Sequence, residues 1–441
     1  MSTTEDKNIK VDAEEFWRKA DASLLNYGTP FVREIIVKAE GAYIYTSEGR
    51  KILDFTSGQM SCLIGHGNEE IAETIEKYAR RLDHIYSGMI CEPVVDLAYK
   101  LTSLLPNGLD RAIFLSTGAE ANECAIKLAK TFTGKFEVVA LSLSWHGMTG
   151  TASSCTYQAG RTGHGPTTPG SLVIPAPNEY RSIFHYQDGS YDWKTELEYG
   201  WSLVDASSVG SLAAVILEPV LSSGGMLVLP EGYLKEMKHH CEKRGMLLIV
   251  DEAQTAIGRS GSMFAFEESG IVPDFLCLSK TIGNGIPLSS VITSDKIAED
   301  TSKKGFLFYT THVNDPIPAA VGLKVLDIVM KNKYVNNARH RGNQLRKGLK
   351  ELSKFYKAIG DVRGIGLMVG LEIVKENTKE SDNELAAKLA ATMMSLGLSA
   401  NLLSVKSFGG IFRMAPPISI TEQEIEMALK IIASSFAVIY D

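Results

Sequence analysis

At 441 residues the chain is long enough for two or three domains, or for one large α/β body with additions, and needs no staples to bury a core. Hydrophobic residues make up 44% and charged residues 22%, which excludes a disordered, collagen-like or coiled-coil chain. The 45 basic and 52 acidic residues give a net charge of −7, so there is no basic excess for nucleic acid and the surplus serves solubility.

Six cysteines, at 62, 91, 124, 155, 241 and 277, are scattered and form no CxxC pair. That pattern belongs to a reducing compartment, not to a disulfide framework or zinc site. The opening residues, MSTTEDKNIKVDAEEF, lack the basic start and apolar stretch of a secretory signal. No apolar run approaches the roughly 20 residues of a membrane span. The expectation is a cytoplasmic protein with neither membrane nor nucleic-acid partners.

In chain order, the first expected element is a helix over 12–27, with Phe16, Trp17, Ala20, Leu24 and Leu25 near one face. Residues 33–55 alternate apolar and polar around Ser47-Glu48-Gly49-Arg50, which predicts an antiparallel hairpin. From about 65 to 325 short apolar runs alternate with helical stretches. AIFLS (112–116), FEVVAL (136–141), LAAVILEP (212–219), GMLLIVDE (245–252), DFLCLSK (274–280) and LSSVITS (288–294) read as strands. Helical stretches follow AIFLS and occupy 231–244, while 142–210 reads mainly as long loops with one helix. Near-continuous apolar strands separated by helices predict an α/β domain with a mostly parallel central sheet covered on both faces. Beyond 326, charged helices at 334–354, 383–396 and 421–437 surround strands in VRGIGLMVGLEIV and GGIFRMAP, an α+β pattern. The expected division is an N-terminal segment 1–64, a large domain 65–325 and a smaller C-terminal domain 326–441.

Ligands of such sheets sit beyond the carboxyl ends of the strands, so polar residues there come first. Lys280 ends DFLCLSK. It reads either as a snorkelling strand-edge lysine or as a Schiff-base lysine in a desolvated site. Asp251 directly follows another apolar strand. It reads either as a turn residue or as the partner of a pyridine nitrogen, which keeps pyridoxal phosphate an electron sink. STGAEAN (116–122) is a strand-to-helix junction whose backbone N–H groups suit a phosphate or simply start a helix.

The order of the three, with Lys280 standing 29 positions after Asp251, is more specific than any one alone. From about residue 14 to 437 the sequence resembles the class III, fold-type I aminotransferases, through DEAQTAIGRS (251–260) and LSKTIGNG (278–285). The resemblance implies that Asp251 pairs with the pyridine nitrogen of pyridoxal 5′-phosphate and Lys280 carries the cofactor. By the same resemblance Gln254 lies near the phenolic oxygen and Trp145 of SWHG stacks on the ring. Gly118 and Ala119 contact the phosphate, and Asn122 belongs to the cofactor site. Thr311 of TTHVND (310–315) would reach the phosphate of a partner subunit's cofactor, which implies a homodimer with shared active sites, or a homotetramer built from it.

Within that family, three features resemble the 2,2-dialkylglycine decarboxylase branch. Ser223 in EPVLSSGG stands where many relatives carry a glutamate that masks an arginine, so Arg413 of GGIFRMAPP stays free for a substrate carboxylate. Gln59 replaces the usual small residue in DFTSGQM, and Trp145 replaces tyrosine or phenylalanine. The implied reaction is decarboxylating transamination of dialkylglycines such as 2-aminoisobutyrate, with the amino group passed to pyruvate or another 2-keto acid. Gln59 would hold the departing carboxylate, Lys280 would move the proton, and Met148 and Ser223 would border the substrate. The resemblance also implies a monovalent cation, potassium or sodium, on Ile85, Ser87, Thr311, Val313 and Asp315. The alternative for the latter is a loop contact with Asp315 as a helix cap. Within the fold, a plain α-amino acid aminotransferase or a racemase is the alternative function. A binding protein without catalysis is the alternative outside it.

Other patterns carry less. GIGLMVG (364–370) has the wrong spacing for a dinucleotide loop and reads as a closely packed strand. His239, His240 and Cys241 adjoin on one helix and point apart, which does not suit a metal. His146 follows Trp145 and reads equally as a cofactor neighbour or a structural hydrogen bond. IYS (85–87) and LSVKSFGG (403–410) are expected to border the pocket.

Overall fold

The computed structural model describes residues 11–29, 31–157, 165–405 and 408–440. Helix α1 (Ala13–Ser23) is capped by the Asp12 carboxylate on the Glu15 N–H. Strands β1 (Ile36–Glu40), β2 (Tyr43–Thr46) and β3 (Lys51–Asp54) form an antiparallel meander. A kinked turn, α2 (Ser57–Met60), precedes α3 (Glu69–Arg81) and α4 (Glu92–Ser103). Then come β4 (Arg111–Leu115), α5 (Gly118–Thr133), β5 (Glu137–Leu141), α6 (Gly150–Ser154), β6 (Ser171–Ile174) and α7 (Trp193–Ser207). Next are β7 (Leu212–Leu217), β8 (Val220–Leu221), β9 (Leu227–Val228), α8 (Tyr233–Arg244) and β10 (Leu247–Asp251). Strands β11 (Phe275–Leu278) and β12 (Ser289–Thr293) lead to α9 (Asp295–Lys303) and α10 (Pro316–Lys331). The chain ends in α11 (Tyr334–Leu352), β13 (Ile359–Ile365), β14 (Met368–Ile373), α12 (Asn383–Ser395), β15 (Leu398–Ser399), β16 (Asn401–Val405), β17 (Phe408–Met414) and α13 (Glu422–Tyr440).

The central sheet has the order β4-β12-β11-β10-β7-β5-β6. Neighbours from β11 to β6 run parallel, and the apolar residues of β11, β7 and β5 are buried because helices cover both faces, while edge strand β6 stays part-exposed. β12 runs antiparallel to both β11 and β4. The ten residues 279–288 are too few for the crossover that parallel pairing needs, so the chain turns straight back. That return places Lys280 at the bend.

Three expectations need correction. The first helix stops at Ser23, since Leu24 is extended and Leu24 and Leu25 are exposed; none of its residues is buried, so nothing rewards a further turn. The 33–55 region has a second turn at Gly41, whose φ of 58° only glycine adopts cheaply, giving three strands where one hairpin was expected. The 142–210 stretch contains an edge strand, β6, paired parallel to β5.

A second sheet, β1-β2-β3-β15, joins the N-terminal meander to C-terminal residues through Leu398↔Leu53 and Ser399↔Asp54. A third, β13-β14-β17-β16, carries Arg413. Among the described residues no helix is long and apolar enough to cross a membrane.

Candidate active site

The carboxyl ends of β4, β10 and β11 open onto one cavity of about 400 Å³. Gln59, Gly118, Ala119, Asn122, Trp145, Asp251 and Lys280 line it, although they are separated by up to 221 positions of sequence. Parallel pairing of Asp251 with Cys277 sets Asp251 and Lys280 at the same sheet edge. Lys280 adopts a φ of 42°. Such a strained conformation costs on the order of 1 kcal/mol and gathers at functional sites. Burial depresses the Lys280 amine below its usual range, and Arg413 adds to this, while Asp251 and Glu218 oppose it. A desolvated, less basic lysine is a nucleophile.

At the next strand end, Thr117 caps α5 in a reciprocal box with Glu120. The helix start thus presents the N–H groups of Gly118 and Ala119, which suit an anion. Gly118 packs tightly here, because a Cβ would stand 3.3 Å from Ser279 Cβ and Oγ. Asp251 is buried, and its Oδ2 accepts from Asn122 Nδ2 at 2.7 Å and lies 2.8 Å from His146 Nδ1. Two buried atoms of the lining, Asn122 Oδ1 and His146 Nε2, have no partner among the described residues. Buried polar groups rarely stay unpaired, so a flat polar ligand with an anionic arm fits this cavity. Asp251 would face its ring nitrogen, the α5 N-terminus its phosphate, and Lys280 its carbonyl carbon.

Gln254 is held by Ser222, whose Oγ donates to Gln254 Oε1 at 2.8 Å. On the next residue Ser223 accepts from Arg413 Nη1 at 3.1 Å. Gln59 sits on the kink of α2, after Gly58 with φ 69°. Five of the cofactor and substrate positions named from sequence are not among those lining the cavity: Met148 and Thr311 are exposed, Gln254 is bonded to Ser222, and Ser223 and Arg413 pair with each other outside the lining. The Asp315 carboxylate lies 2.6 Å from His84 Nδ1 and 2.5 Å from His312 Nδ1, which draws together the two loops bearing Ile85, Ser87, Thr311 and Val313. Asp315 is the first cap residue of α10 but makes no side-chain cap bond there. Of LSVKSFGG, Lys406 and Ser407 lie outside the described residues.

Sequence reasoning missed three groups. Glu218, the strand-end residue of EPVLSSGG, is buried, and its Oε1 accepts from the Trp145 N–H at 2.9 Å. Burial raises its carboxyl from 4.5 to about 7, with His146 pulling down and Asp251 pushing up. Arg259, fully buried, donates to the carbonyls of Ala415 and Pro416 and to Ser57 Oγ, tying the Gln59 turn to the end of β17. Its position inside DEAQTAIGRS was the available signal. Asn401, which accepts from Arg413, gave none.

A strand-end lysine and carboxylate beside a helix-capped anion cradle define a pyridoxal-phosphate enzyme of the α/β type. Comparison with known proteins agrees. The family model for class III aminotransferases matches residues 26–436, and the chain belongs to that family. It is 48% identical over 436 residues, 99% of this chain and 97% of the other, to an uncharacterized aminotransferase of Schizosaccharomyces pombe. It is 32% identical to an alanine/serine racemase of Pyrococcus horikoshii, over 89% of this chain and 83% of that protein. An amine transaminase from an uncultivated Pseudomonas species, solved with pyridoxal phosphate bound, superposes with a TM-score of 0.86 at 26% identity, covering 94% of this chain and 98% of that one.

Proposed function

We propose that the chain catalyses decarboxylating transamination of 2,2-dialkylglycines such as 2-aminoisobutyrate, passing the amino group to pyruvate or another 2-keto acid. The observation that carries this reading is Arg413. It reaches Ser223 where an acidic mask would stand, and among the described residues its hydrogen-bond acceptors are Asn401 and Ser223, neither a carboxylate. A free, half-buried guanidinium selects a substrate carboxylate.

Pyridoxal phosphate, when bound, takes up the electrons of the bond broken at the substrate's α-carbon. The chain's residues direct which bond that is. Gln59 offers an amide N–H to a carboxylate without adding charge, so the carboxylate is held but not stabilised against leaving. Lys280, with its lowered basicity, delivers and removes the proton at the reacting carbon. Arg413 and Ser223 hold the carboxylate of the 2-keto acid. One dialkylglycine and one keto acid yield a ketone, carbon dioxide and a new amino acid.

A second reading is racemisation or plain transamination of α-amino acids. The 32% identity to an alanine/serine racemase favours it. Both make different products. Carbon dioxide and acetone from 2-aminoisobutyrate with pyruvate support the first. Racemisation or amino exchange of alanine with no gas release sinks it. Lys280→Ala should abolish every one of these activities, a loss of about 10⁴-fold.

The same reading includes a homodimer in which Thr311, exposed on the single chain, serves the partner's cofactor. Sedimentation at working concentration tests it. It also includes a monovalent cation on Ile85, Ser87, Thr311, Val313 and Asp315. A rate indifferent to exchange of potassium for sodium removes that part.

A further inference from the structure

The register of the C-terminal sheet sets four residues in one row: Arg363 opposite Gly370, Gly370 opposite Arg413, and Arg413 opposite Asn401. Directly paired residues share a face of the sheet, so Asn401 and Arg413 are cross-strand neighbours. Asn401 Oδ1 accepts from Arg413 Nε at 2.9 Å and from Nη2 at 2.5 Å. Ser223 Oγ accepts from Nη1 at 3.1 Å. Every one of these acceptors is neutral.

We propose that Asn401 is a positioning residue that determines specificity: it fixes the Arg413 guanidinium by its neutral amide while leaving the positive charge whole for a substrate carboxylate. This rests on the reading of Arg413 as the carboxylate site. A guanidinium has five N–H donors. Three are taken by Asn401 and Ser223, which leaves one on each terminal nitrogen for a carboxylate. Burial lowers Arg413 to about 10, with Glu218 acting against it, so the group stays charged at neutral pH.

The choice of amide over carboxylate is the informative part. An aspartate would meet the same two N–H groups with a stronger, charge-assisted bond. It would also cancel the charge that the substrate needs. Anchoring alone therefore favours aspartate, and substrate recognition favours asparagine.

The two roles predict opposite orders, which calorimetric titration of the cofactor-loaded enzyme with propionate separates. Propionate is a probe with a carboxylate and no amino group. If Asn401 preserves charge, Asn401→Asp binds propionate at least about tenfold more weakly than wild type, and more weakly than Asn401→Ala. The KM for pyruvate should rise in parallel while kcat and the rate with carboxylate-free isopropylamine stay within about twofold. The exchange is isosteric, and the thermal midpoint of Asn401→Asp should match or exceed that of wild type. Wild-type affinity in Asn401→Asp, or Asn401→Ala being the weaker of the two, overturns the inference while Arg413→Met still loses binding. If Arg413→Met binds propionate like wild type, the reading of Arg413 fails first.

Discussion

Arg363 and Arg413 stand one strand to either side of Gly370, on the same face of one sheet, and they do opposite work. Arg363 donates to Asp361 at 2.7 Å and to Glu372 at 2.6 Å, and Glu372, with no exposure, is also held by Arg181. Its Nε bonds the Gly225 carbonyl at 2.7 Å, anchoring the 222–226 loop. Its charge is spent inside the protein. Among the described residues Arg413 hydrogen-bonds only Asn401 and Ser223, both neutral, and no carboxylate pairs with it. A residue type does not settle whether a buried cation is structural or a binding group; the charges around it do.

Each arginine can be removed to break the comparison. Arg363→Met leaves Glu372 buried with one cationic partner fewer and should destabilise the fold by about 3 kcal/mol, read by denaturant unfolding. A loss below about 1 kcal/mol would make the pair a surface-like contact. Arg413→Met should do the reverse: kcat/KM for carboxylate substrates falls about a hundredfold while unfolding free energy changes little. Equal loss with isopropylamine would show that Arg413 serves the reaction otherwise.

Gly370→Ala tests the residue between them. Its Cβ would lie 2.9 Å from the Gly225 carbonyl, which belongs to the loop that carries Ser223. The backbone must shift, at about 1–3 kcal/mol of stability and with weaker keto acid binding as Ser223 moves. The smallest effect is electrostatic. Glu218 faces His146, Asp251 and Lys280, and burial raises its carboxyl from 4.5 to about 7. Between those values the folded chain keeps a proton that the unfolded chain has released. Its contribution to stability is whole below 4.5 and is lost as pH rises through about 7. Glu218→Gln, which stays neutral, should therefore gain stability relative to wild type as pH rises across that window. A difference between the two that is flat with pH would place the Glu218 pKa elsewhere.

Much of the site was legible because strand ends leave marks. Apolar runs that stop at Asp251 and Lys280 told where two chemical groups emerge, and the small residues at 116–122 marked a helix start after a third strand. Glu218 carried the same mark, yet its job, holding the Trp145 backbone, depends on a partner 73 positions away. The kink at Gly58 beside Gln59 is braced by Asp54, which accepts from the Gly58 N–H, and by Arg259 on Ser57, contacts that periodicity cannot see. β6 escaped because four residues in a loop-rich stretch give too short a pattern.

Taken alone, the sequence determined the class of architecture, the order of the elements and the residue types able to do lysine-based cofactor chemistry. These follow from local rules: hydrophobic period, strand length and what stands at a strand's end. Tertiary structure decided which polar groups meet. It alone put Asn401 opposite Arg413, because cross-strand register comes from the pairing of distant strands and shifting it by one residue would turn the amide to the other face. The charge left on Arg413 is therefore a property of the assembled sheet.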